Sequence, residues 1–193
     1  MIGARYLWPL VLGVLLQWPV IALAGDARAL NVSIAVFDPG VPADRSLHRD
    51  LEVFPRIRAI EARFLPFVLR ETLVGSGEWG AVRVVNEPDA AAEVAISGTI
   101  VQSDGERLEL LVRAADATGR TWFEREFAGS LVEQGADSGS TKAAASFQAL
   151  YDEVARALRD ARARFDDREL ARITETSLLR YAAELAPSAF GQY

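Results

Sequence analysis

The sequence predicts an α+β fold: a mixed five-stranded sheet in the order β-α-β-β-β-β-α-α, with helices packed mainly on one face. Three observations carry that prediction. Residues 30–37 (LNVSIAVF) form an apolar, β-branched run that stops at Asp38-Pro39-Gly40 and is followed by a long stretch of helical period. Residues 94–129 read as three strand-like segments separated by two short turns, the pattern of consecutive antiparallel hairpins. Residues 147–186 then return to helical spacing.

In chain order, residues 30–37 give the first strand, and residues 41–52 are polar and irregular. Ile57, Ile60, Phe64, Phe67, Val68 and Leu73 recur at helical spacing, which predicts a helix from about Phe54 to Leu73 with these residues as its apolar stripe. Pro66 interrupts it, so the helix either kinks there or restarts with Pro66 in its first turn. Ser76-Gly77 closes it, glycine being suited to a left-handed cap. Residues 81–85 (AVRVV) form the second strand and residues 94–102 (VAISGTIVQ) the third. The Asp104-Gly105 turn leads into residues 108–116, and the turn at 117–120 into residues 121–129. Strands one and two, joined by a helix, are expected to be parallel, with all later strands added antiparallel.

Residues 130–146 are rich in Gly, Ser and Ala and read as a loop. Phe147, Leu150, Tyr151, Val154, Leu158, Ala161 and Phe165 make the stripe of the next helix. Asp166 is placed to cap a last helix, whose inner face is expected along Leu170, Ile173, Ser177, Tyr181 and Leu185, ending at Ala186-Pro187. A single domain is expected over residues 25–193, its core at 30–164 and its C-terminal helix at 166–186.

Residues 1–24 read as a secretory signal peptide. Arg5 supplies a positive start, residues 7–21 (LWPLVLGVLLQWPVI) an apolar run, and Ala22-Leu23-Ala24 the small-residue pattern before Gly25. The apolar run is shorter than the roughly 20 residues of a spanning helix. The expectation is therefore a periplasmic protein, cleaved near Ala24-Gly25 and soluble afterwards. The sequence contains no cysteine, which excludes disulfides and attachment of lipid at an N-terminal cysteine. Its net charge is −6, and loss of Arg5 with the leader makes it one unit more negative. That balance argues against nonspecific binding to nucleic acid or to anionic membranes.

Chemistry-bearing patterns are sparse. His48 is the one histidine, and Asp44 and Asp50 are too near it in sequence to suggest a triad. One histidine and no cysteine do not make a zinc site, and Asp38, Asp44 and Asp50 lack calcium-loop spacing. The segment from Gly135 to Lys142 has the wrong residue order for a phosphate loop. Glu106, Glu109, Glu124 and Glu126 are the acids of the hairpins, where alternation puts charges on a solvated face. No metal, no cofactor and no catalytic residue is expected. Trp79 and Trp122 are candidate partner contacts, because tryptophan buries a large area and carries a donor at its rim; the alternative is that both close the sheet–helix core. His48, Arg156, Phe190 and Tyr193 complete the candidate contacts.

Together, the opening strand Ile34-Ala35-Val36-Phe37-Asp38, the helix end Leu73-Val74-Gly75-Ser76-Gly77, Trp79 through Val85, the strand at 93–100 (EVAISGTI), the Asp116-Ala117-Thr118-Gly119 turn with Trp122, and the helix at 147–158 form a recognisable order. In that order the chain resembles the TolB amino-terminal domain and the related periplasmic core of curli secretion proteins and penicillin-binding-protein activator lipoproteins, over residues 30–164. The resemblance implies a noncatalytic α+β module that binds other envelope proteins. The lipobox cysteine of the lipoproteins and the propeller repeats of TolB are not found in this sequence, so no particular partner carries over. Two other functions are compatible with the residues: an envelope hydrolase using paired carboxylates, and a carrier of a small ligand.

Overall fold

The computed structural model describes residues 29–50, 53–130 and 140–190. Strands β1 (Val32–Ala35), β2 (Val82–Val85), β3 (Val94–Ser103), β4 (Arg107–Asp116) and β5 (Thr121–Ser130) form one sheet ordered β2-β1-β3-β4-β5. Its helices are α1 (Leu47–Asp50), α2 (Pro55–Ser76), α3 (Ser140–Arg162), α4 (Asp167–Leu185) and α5 (Pro187–Phe190). The fold is α+β with the helices outside an open mixed sheet. The expected leader, residues 1–24, lies outside the described residues, as does 131–139 of the expected loop. Of the remainder, Ser130 ends β5 and 140–146 belong to α3, which starts at Ser140 instead of Phe147, and the polar stretch before α2 contains the short α1.

One strand direction differs from expectation. β1 and β2 are parallel, but β3 also lies parallel to β1, on its other side; only β4 and β5 add antiparallel. The reason is the length of the 86–93 connector. Fully extended, such a segment reaches roughly 25 Å, about twice the rise of a four-residue strand, so it can return from the end of β2 to the start of β3 without a helix. Because it moves across the sheet in the opposite sense to α2, the shared hand of parallel crossovers places it on the opposite face. There it covers β1, whose four residues are all buried although only Val32 and Ile34 belong to the main core.

That core lies between the sheet and α2 and α3, from Leu30, Ile34 and Ile96 through Leu110 and Phe127 to Leu69, Leu150 and Leu158. Strand alternation supplies the sheet side, with Leu108, Leu110, Val112 and Ala114 all inward on β4. The aromatic Phe37, two residues past β1, lies over Gly98: a Cβ at Gly98 would stand 2.9 Å from its ring. Gly40, at φ +60°, is held closer still, with a Cβ position 1.9 Å from the Ile100 carbonyl oxygen. Between them, Asp38 continues the β1 pairing, its N–H donating to Gly98 O at 2.8 Å and its carbonyl accepting from Ile100 N at 2.9 Å.

Pro66 neither ends α2 nor restarts it; α2 is one helix from Pro55 to Ser76. A proline there has no N–H to give the Ala62 carbonyl four residues earlier. The Phe37 N–H donates to that oxygen instead, at 2.9 Å. The acceptor freed by proline thus becomes the bond that ties α2 to the end of β1.

At the other end of the sheet, Glu93 is buried and its carboxylate gathers three donors. One oxygen accepts from Asn31 N at 2.7 Å and Asn31 Nδ2 at 2.6 Å, and the other accepts from Thr174 Oγ1 on α4. Asn31 Oδ1 accepts in turn from Ala81 N at 2.8 Å, and the Glu93 carbonyl from Ala117 N at 3.1 Å. Glu93→Ala leaves the buried Thr174 hydroxyl and the two part-buried Asn31 donors without their acceptor and is expected to lower unfolding stability by about 2 kcal/mol, read from denaturant midpoints. Gly98→Ala is expected to cost roughly 1–3 kcal/mol through overpacking against Phe37, and unchanged midpoints for either variant would contradict these roles.

Candidate interaction surface

Helix α2 is apolar on two sides. Its buried face is Ala62, Leu65, Leu69 and Leu73, together with Arg58 and Pro66. Its other face carries Ile57, Ile60, Phe64, Phe67 and Val74, which stand 47–67 % exposed. The expected stripe is therefore corrected: of its members only Leu73 is fully buried and Val68 half-buried, while the rest face outward. The confusion is physical, since an apolar residue recurs on both arcs and each arc alone satisfies a helical period. Ile57, Ile60, Phe64 and Phe67 are spaced three and four apart, the interval of a helix-pairing seam; Glu71 holds the next position and Val74 the one after. Phe54, at the N-cap, extends the patch and is itself exposed. Beside the seam, Phe64, Phe67, Val68, Glu71, Thr72 and Gln148 of α3 line a shallow groove of about 400 Å³.

Helix α4 begins with a capping box, Asp166 accepting from Glu169 N at 2.8 Å while the Glu169 side chain accepts from Asp166 N at 3.1 Å. Its first half is anchored: Ile173 is buried, and the Ser177 hydroxyl donates to Ala91 O at 2.5 Å on the 86–93 connector. Its second half is not. Leu178, Leu179, Tyr181 and Leu185 are 56–69 % exposed, so Tyr181 and Leu185 do not join the inner face expected of them. The stripe continues beyond the point where the body of the fold ends.

The two tryptophans come together inside the molecule. Trp79 and Trp122 are each 7 % exposed, with ring centroids 6.4 Å apart, and Phe165 lies 5.3 Å from Trp122. The Trp122 indole N–H donates to Asp116 Oδ2 at 2.9 Å, and Arg162 stacks over Trp79 at 5.8 Å. His48 is half-buried on α1, one ring nitrogen 2.8 Å from Pro42 O. Its neighbour Asp44 is engaged by Ser46 N and Oγ, and these hydrogen bonds hold the Asp44 carboxyl below its ordinary range; the His48 charge contributes least. Arg156 is exposed on α3 beside Asp152, Arg159 and Glu71. The Phe190 side chain and Tyr193 lie outside the described residues.

No protein-family model matches this chain, and the curated proteins hold no match either. Among the described residues no group of three or more His, Asp or Glu is arranged to hold a metal ion, and no helix is long and apolar enough to cross a membrane. Of the hairpin acids, Glu109 lies 2.6 Å from Arg107 and Glu124 3.7 Å from Arg113, on the sheet face away from α2. Glu126 is exposed.

Reading the sequence for function missed a buried polar group under the N-terminal half of α2. Arg58 is buried and donates to Ile100 O at 3.2 Å; desolvation lowers its pKa, opposed by Glu61. Glu61 accepts from Ser103 Oγ at 2.7 Å and stands 3.8 Å from Arg58 Nε. Tyr151 of α3 is buried nearby, and burial first, then the Glu61 charge, pushes its phenol well above its ordinary range. The only signal in the sequence was a polar Arg-x-x-Glu on a helix arc that is otherwise apolar.

Tyr151 yields a pH dependence whose sign follows from linkage. The unfolded phenol ionises near pH 10, whereas the folded one keeps its proton to higher pH. Its contribution is complete below about pH 10 and is lost as pH rises beyond that value. Between pH of roughly 9 and 11, the denaturant midpoint of Tyr151→Phe should fall less than that of the parent chain. Equal falls would show that the phenol is not held neutral by the fold.

Proposed function

We propose that this chain is a noncatalytic protein-interaction or assembly-factor domain of the bacterial cell envelope, exported by residues 1–24 and released near Ala24-Gly25, and built like the TolB amino-terminal domain. The observation that carries this reading is the exposed seam of α2. Large apolar side chains scattered singly over a surface are ordinary, but a contiguous row at helix-pairing intervals marks a place where another protein sits. The exposed face of α2 presents Phe, Ile and Val in one line with arginines along its margin, an apolar centre with a polar rim. The distribution of acids supports the same reading: Glu93 and Asp116 are engaged by donors of their own chain, and Glu109 and Glu124 lie against arginines.

The experiment is site-specific photocrosslinking in cells with the probe at Phe64, followed by fractionation and mass analysis. The expected outcome is a protein adduct in the envelope or periplasmic fraction and a mature chain beginning at Gly25. Ile60→Glu, a surface change expected to alter stability by no more than about 0.5 kcal/mol, should abolish the adduct. An intact leader with the protein in the cytosol, or no adduct at Phe64, would overturn the proposal.

A further inference from the structure

Among the described residues, two helix faces are apolar and exposed, and their spacings match one another. On α2, Ile57, Ile60, Phe64 and Phe67 repeat at intervals of three and four; on α4, Leu178, Tyr181 and Leu185 do the same. We infer that the α2 seam is occupied by the second half of α4 from another copy of this chain. The inference rests on the reading of α2 as a docking surface and names its partner.

Charge complementarity selects this occupant. Arg56 and Arg63 lie seven residues apart along one margin of the α2 seam, both exposed and neither in an ion pair among the described residues. Glu175 and Glu184 lie on the two margins of the α4 seam, also exposed. Whichever way α4 runs along α2, one of these acids meets the arginine margin, with the exposed Arg180 set behind Glu184, farther from the seam. Pairing of α2 with a second α2 in antiparallel register would instead set arginine row against arginine row, which repels.

Among the described residues, nothing covers the seam. Thr174 and Ser177 fix α4 to Glu93 and to the connector on the sheet face opposite α2, and Phe64 remains 62 % exposed. The uncovered half of α4 continues the face that packs in its first half, so the same stripe that holds α4 to its own body extends toward a neighbour. A two-fold exchange, each copy lending α4 to the other, covers both faces at once and closes the assembly as a dimer.

The absence of cysteine from the sequence gives a clean background for testing the contact. Ile60→Cys and Leu185→Cys variants are purified separately, mixed and oxidised. The expected product is a disulfide-linked pair containing one chain of each kind, with little linkage in either variant alone. Sedimentation of the parent chain should show a dimer. Arg63→Glu should weaken it about tenfold or more, and Glu184→Arg in the same chain should restore much of the loss. A chain monomeric at every concentration overturns the inference, and so does Ile60→Cys linking only to itself. If the purified chain is monomeric and the Phe64 probe captures a different protein in cells, the docking surface stands and its assignment to a second copy falls. With no adduct of any kind, both fall.

Discussion

Glu93 ties together elements that would otherwise meet only through apolar packing. Its carboxylate binds the backbone and side chain of Asn31 before β1 and the hydroxyl of Thr174 on α4, while its own carbonyl accepts from the β4–β5 turn at Ala117. Through Asn31 Oδ1 the same node reaches Ala81 at the entry to β2. A buried carboxylate is costly without partners, and hydrogen bonds to a charged acceptor return roughly 1.5–3 kcal/mol each only when all are in place. The node therefore behaves as a unit, and a long loop-like connector can be held in one path across β1. It also anchors the first half of α4, through Thr174 to Glu93 and, beside it, Ser177 to Ala91 O.

The opposite end of the sheet is organised by a compensation in the backbone. Pro66 removes a donor from α2, and Phe37 supplies it from the end of β1. With that bond made and the Phe37 ring lying on Gly98, α2 is registered against the sheet to within one hydrogen bond. Rotation of α2 to bury its outer seam would break this contact and expose Leu65, Leu69 and Leu73 instead. Two apolar arcs on one helix cannot both face one sheet, and the backbone bond decides which does.

Most of the architecture was legible from patterns of period two and from turn residues. The hairpins of β3, β4 and β5 follow from Asp104-Gly105 and Thr118-Gly119, with positive φ at both glycines. The caps at Gly77 and Asp166 were readable as well, and the structure adds the reciprocal bond of Glu169. The direction of β3 was not, because strand direction depends on where a connector travels, and residues 86–93 carry no periodicity that reveals a path. The inward face of α2 was hidden by the near-equality of its two arcs; the deciding feature, a proline whose orphaned acceptor meets a strand end, is a tertiary fact. Trp79 and Trp122 illustrate the converse. Their types suit an interface, but their partners, Asp116, Phe165 and Arg162, are spread over the chain and gather them inward.

The arrangement of charge sharpens what the apolar surfaces imply. Over the molecule as a whole acids outnumber bases, yet the margin of the α2 seam carries Arg56 and Arg63 while the acids near it are engaged, Glu61 with Ser103 and Glu71 with Arg70. A basic margin on an acidic chain attracts other parts of that chain more strongly than it would on a basic one. Association covers the seam only if its apolar gain exceeds the cost of immobilising two molecules, and four or five large side chains at roughly 1.5–3 kcal/mol each are of the right size once both faces are counted. A single face buried against an unlike surface recovers half of that. Reciprocal burial of the α2 and α4 seams recovers all of it, which is the physical reason to pair the two faces with each other.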